Sequence, residues 1–181
     1  MIPEAHKVFR SDNYFNLDLP KLANVLCRIP RFNAHTKIPI SVGHHSLHCL
    51  YLAKEYYPGD DRLHQLALFH DVSEAYYGDI PTYIKRLLGE EARYQLNKID
   101  QEIFNHLGIT YPLYGEKRQI KDVDLNALTL EAQVGFEDAF HLDDWPTPNI
   151  TDTFIINRLL AYPLYGLEEK LLQAFKEYIV V

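Results

Sequence analysis

The stretch that most constrains this chain is Ala67-Leu68-Phe69-His70-Asp71-Val72-Ser73-Glu74. An apolar run leads straight into an adjacent His and Asp, and a Glu follows about one helical turn later. Unpaired ionisable groups brought into low dielectric are strongly destabilising, so apolar helices rarely end this way without a partner for the charge. A metal cation removes the difficulty. His offers a neutral nitrogen and Asp an anionic oxygen, both suited to a divalent transition ion. The spacing predicts a helix from about Arg62 to Tyr77 carrying all three residues. On it, His70 and Asp71 diverge by about 100° and reach one ion only if it sits between them. Glu74 follows His70 by four and Asp71 by three, stacked on the same face. The bland alternative is a capped helix with a solvated polar end.

The rest of the pattern is helical. Asp18 is placed to cap a helix with Pro20 in its first turn, an apolar face at Leu22, Val25, Leu26 and Ile29, and a limit at Pro30. Residues 31–39 read as a polar loop with an aromatic and several cations, a kind of segment that lines sites on rigid scaffolds. Ser41 caps a helix to about Tyr57. Asp79 and Pro81 suit the start of a short helix, and apolar residues at helical spacing continue over 90–107, stopping at Gly108, and over about 116–140. A turn-rich segment spans Asp143 to Asn149. Two further helices follow, over about 151–161 and 166–179. Nothing alternates with period 2 except the β-branched C-terminus. The expectation is an all-α fold of about seven helices in a single domain over residues 1–181. The repeated Tyr-Pro-Leu-Tyr-Gly, at 111–115 and 162–166, is too short to mean a repeat architecture and reads as two similar interhelical turns.

Composition excludes several classes. The net charge of −7 disfavours a nucleic acid polymer as partner, because such binding needs Lys and Arg against phosphates. No apolar run approaches the roughly 20 residues that span a bilayer, and no signal-peptide apolar region is present, so the expectation is a cytoplasmic protein with no membrane partner. Cys27 and Cys49 sit among apolar residues and read as buried free thiols.

His70 and Asp71 cannot close a coordination sphere alone. His44, His45 and His48 lie on the preceding predicted helix, and Asp124 interrupts an otherwise apolar helix face, where an aspartate needs a partner. His45, His70, Asp71 and Asp124 together would give two nitrogens and two oxygens around one ion, leaving positions for water and a phosphate oxygen. Glu131, seven residues after Asp124, is either a group supporting a ligand or a salt-bridge partner. Arg28 either contacts phosphate or pairs with an acid. His44 and His48 read as surface groups or as supports, with His48 able to hydrogen-bond a ligand. His35, His64, His106 and His141 read as solvated.

In family order stand Arg31-Phe32, His45-Ser46-Leu47, His70-Asp71-Val72-Ser73-Glu74, Gly78-Asp79-Ile80-Pro81-Thr82 and Lys121-Asp122-Val123-Asp124. This series resembles the HD-domain metal-dependent phosphohydrolases, and within them the small branch of 5′-deoxynucleotidases and bacteriophage dATP triphosphohydrolases. The resemblance implies His45, His70, Asp71 and Asp124 as metal ligands and Glu74 as the acidic residue that handles the proton. It implies Asp79 as a second acidic residue of the site, where helix capping is the competing role. Arg31, Phe32 and Lys85 match substrate contacts, with Phe32 standing where known deoxynucleotidases carry tryptophan. The implied ion is Zn, Mn, Co or Fe, with a second ion such as Mg recruited by Glu74, Asp79 and substrate phosphates. The implied activity is release of triphosphate from a dNTP, with dATP preferred. Hydrolysis of deoxynucleoside monophosphates is the alternative, and a non-catalytic nucleotide-binding regulator the third reading. The implied partner is a small-molecule deoxynucleotide, the assembly a homo-oligomer, and the compartment the cytoplasm, of a host cell if the chain is viral.

Overall fold

The computed structural model describes residues 18–136, 154–162 and 164–179. Among these the chain is all α-helical, as expected, and has no strand; Pro30 and Ser41 form one isolated antiparallel bridge. The helices are α1 (Leu19–Leu26), α2 (Val42–Tyr56), α3 (Asp61–Phe69), α4 (Glu74–Tyr77), α5 (Thr82–Leu87), α6 (Gly89–His106), α7 (Tyr114–Gly135), α8 (Phe154–Leu160) and α9 (Leu164–Tyr178), with a 3-10 turn at Phe32–Ala34. His141, the turn-rich 143–149 segment, residues 1–17 and Val180-Val181 lie outside the described residues. No helix among the described residues is long and apolar enough to cross a membrane.

Helix α2 is the axis of the fold. It packs against α3, α7, α8 and α9, so it is buried almost all round, although its sequence is far from uniformly apolar. His44, His45, Ser46 and His48 are buried together with Val42, Leu47, Cys49, Leu50, Leu52 and Ala53. On one side lies a core built from Leu22, Leu26, Leu66 and Phe69, where Phe69 stacks on Phe175 at 4.6 Å between centroids. On the other lies a smaller core of Cys49, Leu52, Ala67, Val123, Leu130 and Ile156. The start of α2 approaches α1 closely. A Cβ at Gly43 would fall 2.6 Å from Cys27 Sγ and 3.1 Å from its Cα, so only glycine fits there. Asp18 Oδ1 accepts from Lys21 N–H at 2.9 Å, capping α1 as the sequence indicates.

Several expectations are corrected. The predicted Arg62–Tyr77 helix is two helices. His70 is the C-cap of α3, and residues 70–73 form a tight turn in which Val72 N–H donates to Phe69 and Glu74 N–H to Asp71. Such i→i−3 bonds wind tighter than an α-helix, so the stacking of Glu74 over His70 and Asp71 at α-helical spacing does not apply. Helix α7 stops at Gly135 rather than near 140. Gly135 carbonyl accepts from Lys37 N–H at 2.8 Å, and Phe136 turns out to meet Phe32 edge-on at 5.5 Å. Asp79 does not cap α5, whose N-cap is Pro81 without a side-chain bond. His64 is buried, not solvated, with Nε2 2.8 Å from the Tyr57 carbonyl. His44 and His48 are likewise interior.

Candidate metal centre

Three elements meet near the start of α2: the end of α3 brings His70 and Asp71, α7 brings Asp124, and α2 itself brings His45. His45 Nε2 lies 3.2 Å from Asp124 Oδ1 and 3.6 Å from Asp71 Oδ2. His70 Nε2 lies 3.2 Å from Asp71 Oδ2 and 4.0 Å from Asp124 Oδ1. Bonds of about 2.0–2.2 Å place two ligands of one ion from about 2.9 Å apart when adjacent to about 4.2 Å when opposed. All four spacings fall in that range.

Hydrogen bonds at the far nitrogens fix which atoms face inward. His70 Nδ1 lies 2.8 Å from the Ala67 carbonyl, which can only accept, so Nδ1 carries the proton and Nε2 keeps its lone pair. That Nε2 is buried and has no hydrogen-bond partner, the state a metal ligand leaves behind. His45 Nδ1 donates to Glu131 Oε1 at 3.0 Å, which likewise turns Nε2 toward the carboxylates. The donor set of two imidazoles and two carboxylates therefore fits a divalent transition ion.

Glu131 is the support the sequence left undecided, and it fills both suggested roles. Fully buried on α7, it accepts from His45, from His48 Nδ1 at 2.5 Å and from Arg31 Nε at 3.0 Å. Burial alone would raise its pKa, but His45 and Arg31 outweigh that and hold the carboxyl well below its usual range. Arg31 also reaches Asp71 Oδ2 at 3.8 Å. It follows that Arg31 is built into the centre's wall, ahead of a left-handed turn. Phe32, Asn33 and Ala34 have φ of 53°, 49° and 61°, a strained conformation for non-glycine residues. The half-buried Phe32 ring rests 5.6 Å from the Arg31 guanidinium carbon.

Cys49 is the residue that sequence reading underestimated. One turn beyond His45, its Sγ is 3.5 Å from His45 Nε2, and Cys49, His45 and His70 offer donor atoms all within 4.8 Å of one another, a cluster that could hold a metal. Burial pushes the thiol up to about 11, so it is a neutral neighbour of the ring. Its i+4 spacing from His45 was the available signal.

The centre holds more acid than base. Five carboxylates (Asp71, Glu74, Asp79, Asp124, Glu131) face three permanent cations (Arg31, Lys85, Lys121). Lys121 Nζ holds Asp124 Oδ2 at 2.6 Å, leaving Oδ1 to the histidines. Glu74, buried at the start of α4, meets Lys85 Nζ at 3.4 Å through Oε1, while Oε2 has no partner. Burial, then Asp71 and Asp79, push the Glu74 carboxyl up to about 9. Asp79 is half-buried, and burial raises it too, although Arg31 and Lys85 pull the other way. Acidic side chains thus outnumber Lys and Arg around two converging imidazoles, an environment suited to a cation.

Glu74 ties a proton to folding. Its carboxyl stays protonated in the folded state where the unfolded chain has already ionised. The stability it contributes is therefore full below its ordinary value of 4.5, declines as pH rises, and is lost by about 9. Glu74→Gln cannot ionise, so in metal-free protein it becomes progressively more stable than the native chain between pH 5 and pH 8. Urea midpoints at the two pH values measure this; an equal difference at both would contradict it.

Residues 29–122 match the HD domain family, just over half of the chain. That match includes Arg31, His45, His70, Asp71, Glu74, Asp79 and Lys85 and stops two residues before Asp124. The chain is also similar to YfdR of Escherichia coli (strain K12), with 30% identity over 166 residues, 90% of this chain and 86% of YfdR, a protein whose name carries no activity.

Proposed function

The chain belongs to the HD domain family, of metal-dependent phosphohydrolases, and from that premise we propose that it hydrolyses deoxynucleotides, releasing triphosphate from dNTPs with dATP preferred. The observation that carries the reading is the convergence of His45 Nε2, His70 Nε2, Asp71 Oδ2 and Asp124 Oδ1 with a buried acid, Glu74, beside them. A site that only bound a nucleotide would have no use for a protonatable carboxyl next to its ion.

In this reading His45, His70, Asp71 and Asp124 hold the ion, Zn, Mn, Co or Fe, and Glu74 and Asp79 help recruit a second such as Mg. A divalent ion held by these residues would lower the pKa of bound water toward about 7 and offset charge on a phosphoryl oxygen. The protein does the rest. Glu74 holds or moves a proton at its Oε2, the oxygen without a partner. Lys85, which keeps Glu74 company, and Arg31 supply positive charge for phosphates. Phe32 bears on the substrate by backing Arg31. A cavity of about 220 Å³ opens beside His70 and Asp124, lined also by Asp100, Phe104, Tyr111 and Lys121, and is the place for the nucleoside. The whole of 1–181 acts as one domain, copies associate, and the substrate is a small molecule.

One observation favours the monophosphate alternative. Arg31 is already held by Glu131 and Asp71, which leaves few cations for three phosphates. Products separate the two readings. Incubation of dATP, ATP and dAMP with protein and Mn or Co is expected to yield inorganic triphosphate from dATP. Orthophosphate from dAMP alone would select the 5′-deoxynucleotidase, and no turnover of any nucleotide would refute both. Glu74→Gln is expected to keep its metal and lose about 10²-fold or more in rate, the range for a general acid–base group. Full activity in that variant would remove Glu74 from the chemistry.

A further inference from the structure

A second cavity, of about 640 Å³, lies against the start of α2, and its described lining includes none of His45, His70, Asp71 or Asp124. His44 forms part of its wall and precedes His45, so the two side chains diverge by about 100°. Ser41 N–H donates to His44 Nδ1 at 3.1 Å, closing a reciprocal cap with the His44 N–H to Ser41 Oγ bond. Nδ1 is thus an acceptor, so the ring's proton is on Nε2. That N–H is buried in a residue only 7% exposed and has no acceptor. Leaving a buried donor unpaired is destabilising. One water would satisfy it but needs only about 10–15 Å³ of probe volume, a small part of this space.

The remaining walls say what else would fit. Pro30, Ile40 and Tyr162 give apolar and aromatic surface, while Arg28 and Lys37 stand at the lining. Arg28 is paired with Glu168 at 3.1 Å, and Lys37 has no carboxylate partner among the described residues. No acidic side chain is among the described lining residues. Glu168 offsets the charge of Arg28, so in a chain of net charge −7 the lining offers one uncompensated cation, Lys37, beside a buried donor.

We propose that this cavity is a second binding site, outside the metal centre, for a small organic anion: an apolar body carrying an oxyanion head that accepts from His44 Nε2–H and is flanked by Lys37 and Arg28. The ligand would sit on the cap that starts α2, the helix that carries His45.

The test uses the full-length, metal-loaded protein and 1-anilinonaphthalene-8-sulfonate, an aromatic body with an oxyanion head. One molecule is expected to bind per chain with enhanced fluorescence. Octanoate should displace it, and neutral octanol of the same length should not. His44→Gln keeps both the cap acceptor and a donor and should bind within about threefold of native. His44→Glu keeps the capping pattern but turns an anion toward the cavity, and Lys37→Glu reverses charge at an exposed position. Each should weaken the probe by about tenfold or more, and the Lys37 variant stands as the test if the His44 variant misfolds. Absence of saturable 1:1 binding, as when water alone serves His44, would overturn the proposal. So would affinity unchanged in the Lys37→Glu variant, or displacement by octanol as strong as by octanoate.

Discussion

Asp71→Ala is expected to abolish stoichiometric metal uptake and to reduce turnover by on the order of 10³-fold or more, the loss of several kcal/mol of transition-state stabilisation. The reason is positional. Asp71 Oδ2 is the atom that His45 Nε2, His70 Nε2 and Arg31 Nη1 all approach, at 3.6, 3.2 and 3.8 Å. Its loss leaves two nitrogens and one oxygen and turns Arg31 toward Glu131 alone. In metal-free protein, burial raises the Asp71 carboxyl, but His70 and His45 in their protonated forms outweigh burial and hold it below its ordinary range, so an arriving cation meets an ionised carboxylate in exchange for imidazole protons. The side chain is 21% exposed and sits in a turn, so the helical fold should persist by circular dichroism. Metal content by mass spectrometry of the native-state protein reads the result directly. Full occupancy in the variant would show that Asp71 is not a ligand.

Glu131→Ala has the largest expected effect on stability. A single carboxylate with no exposure serves Arg31, His45 and His48. Removing one partner from a buried ion pair costs about 3–5 kcal/mol, because the other charge is left in low dielectric. For a chain of this size that is a fall in Tm on the order of 10 °C. The variant should also bind metal about 10–100-fold more weakly, since His45 loses the acceptor that orients it. Because the Glu131 carboxyl is held well below its ordinary value, its contribution is present above pH 4.5 and is lost as pH falls. The stability gap between native and variant protein should therefore narrow in acid. A Tm within about 2 °C of native at pH 7 would contradict the hub described for Glu131.

Asp124 was legible in the sequence because it is an acid on an otherwise apolar helix face, where it needs a partner, whereas His45 stood among three neighbouring histidines and was singled out with the help of the family resemblance. The partners were legible only as a set of types, two imidazoles and two carboxylates, whose meeting depends on how α2, α3 and α7 cross. The break between Phe69 and Glu74 was hidden because a 3-10 turn uses the same residues as the helix on either side, so hydrophobic spacing passes through it unchanged. His64 was misread as solvated, and His44 and His48 were left between surface and supporting roles, for a related reason. A helix buried on all sides has no polar face, and a polar residue on it looks like surface. Glu131 was placed on the correct face by its spacing from Asp124. Its hold on Arg31, a hundred residues earlier, is a product of the packing. Asp79 suited a cap beside Pro81, yet the chain reaches α5 through Gly78 at φ 83°, and Pro81 takes the N-cap position.

The most direct measurement is anomalous diffraction from crystals grown with manganese or zinc, collected at the metal's absorption edge. A strong peak bonded to His45 Nε2, His70 Nε2, Asp71 Oδ2 and Asp124 Oδ1 is the expected result. A peak bonded elsewhere, or none with metal in excess over protein, would contradict it.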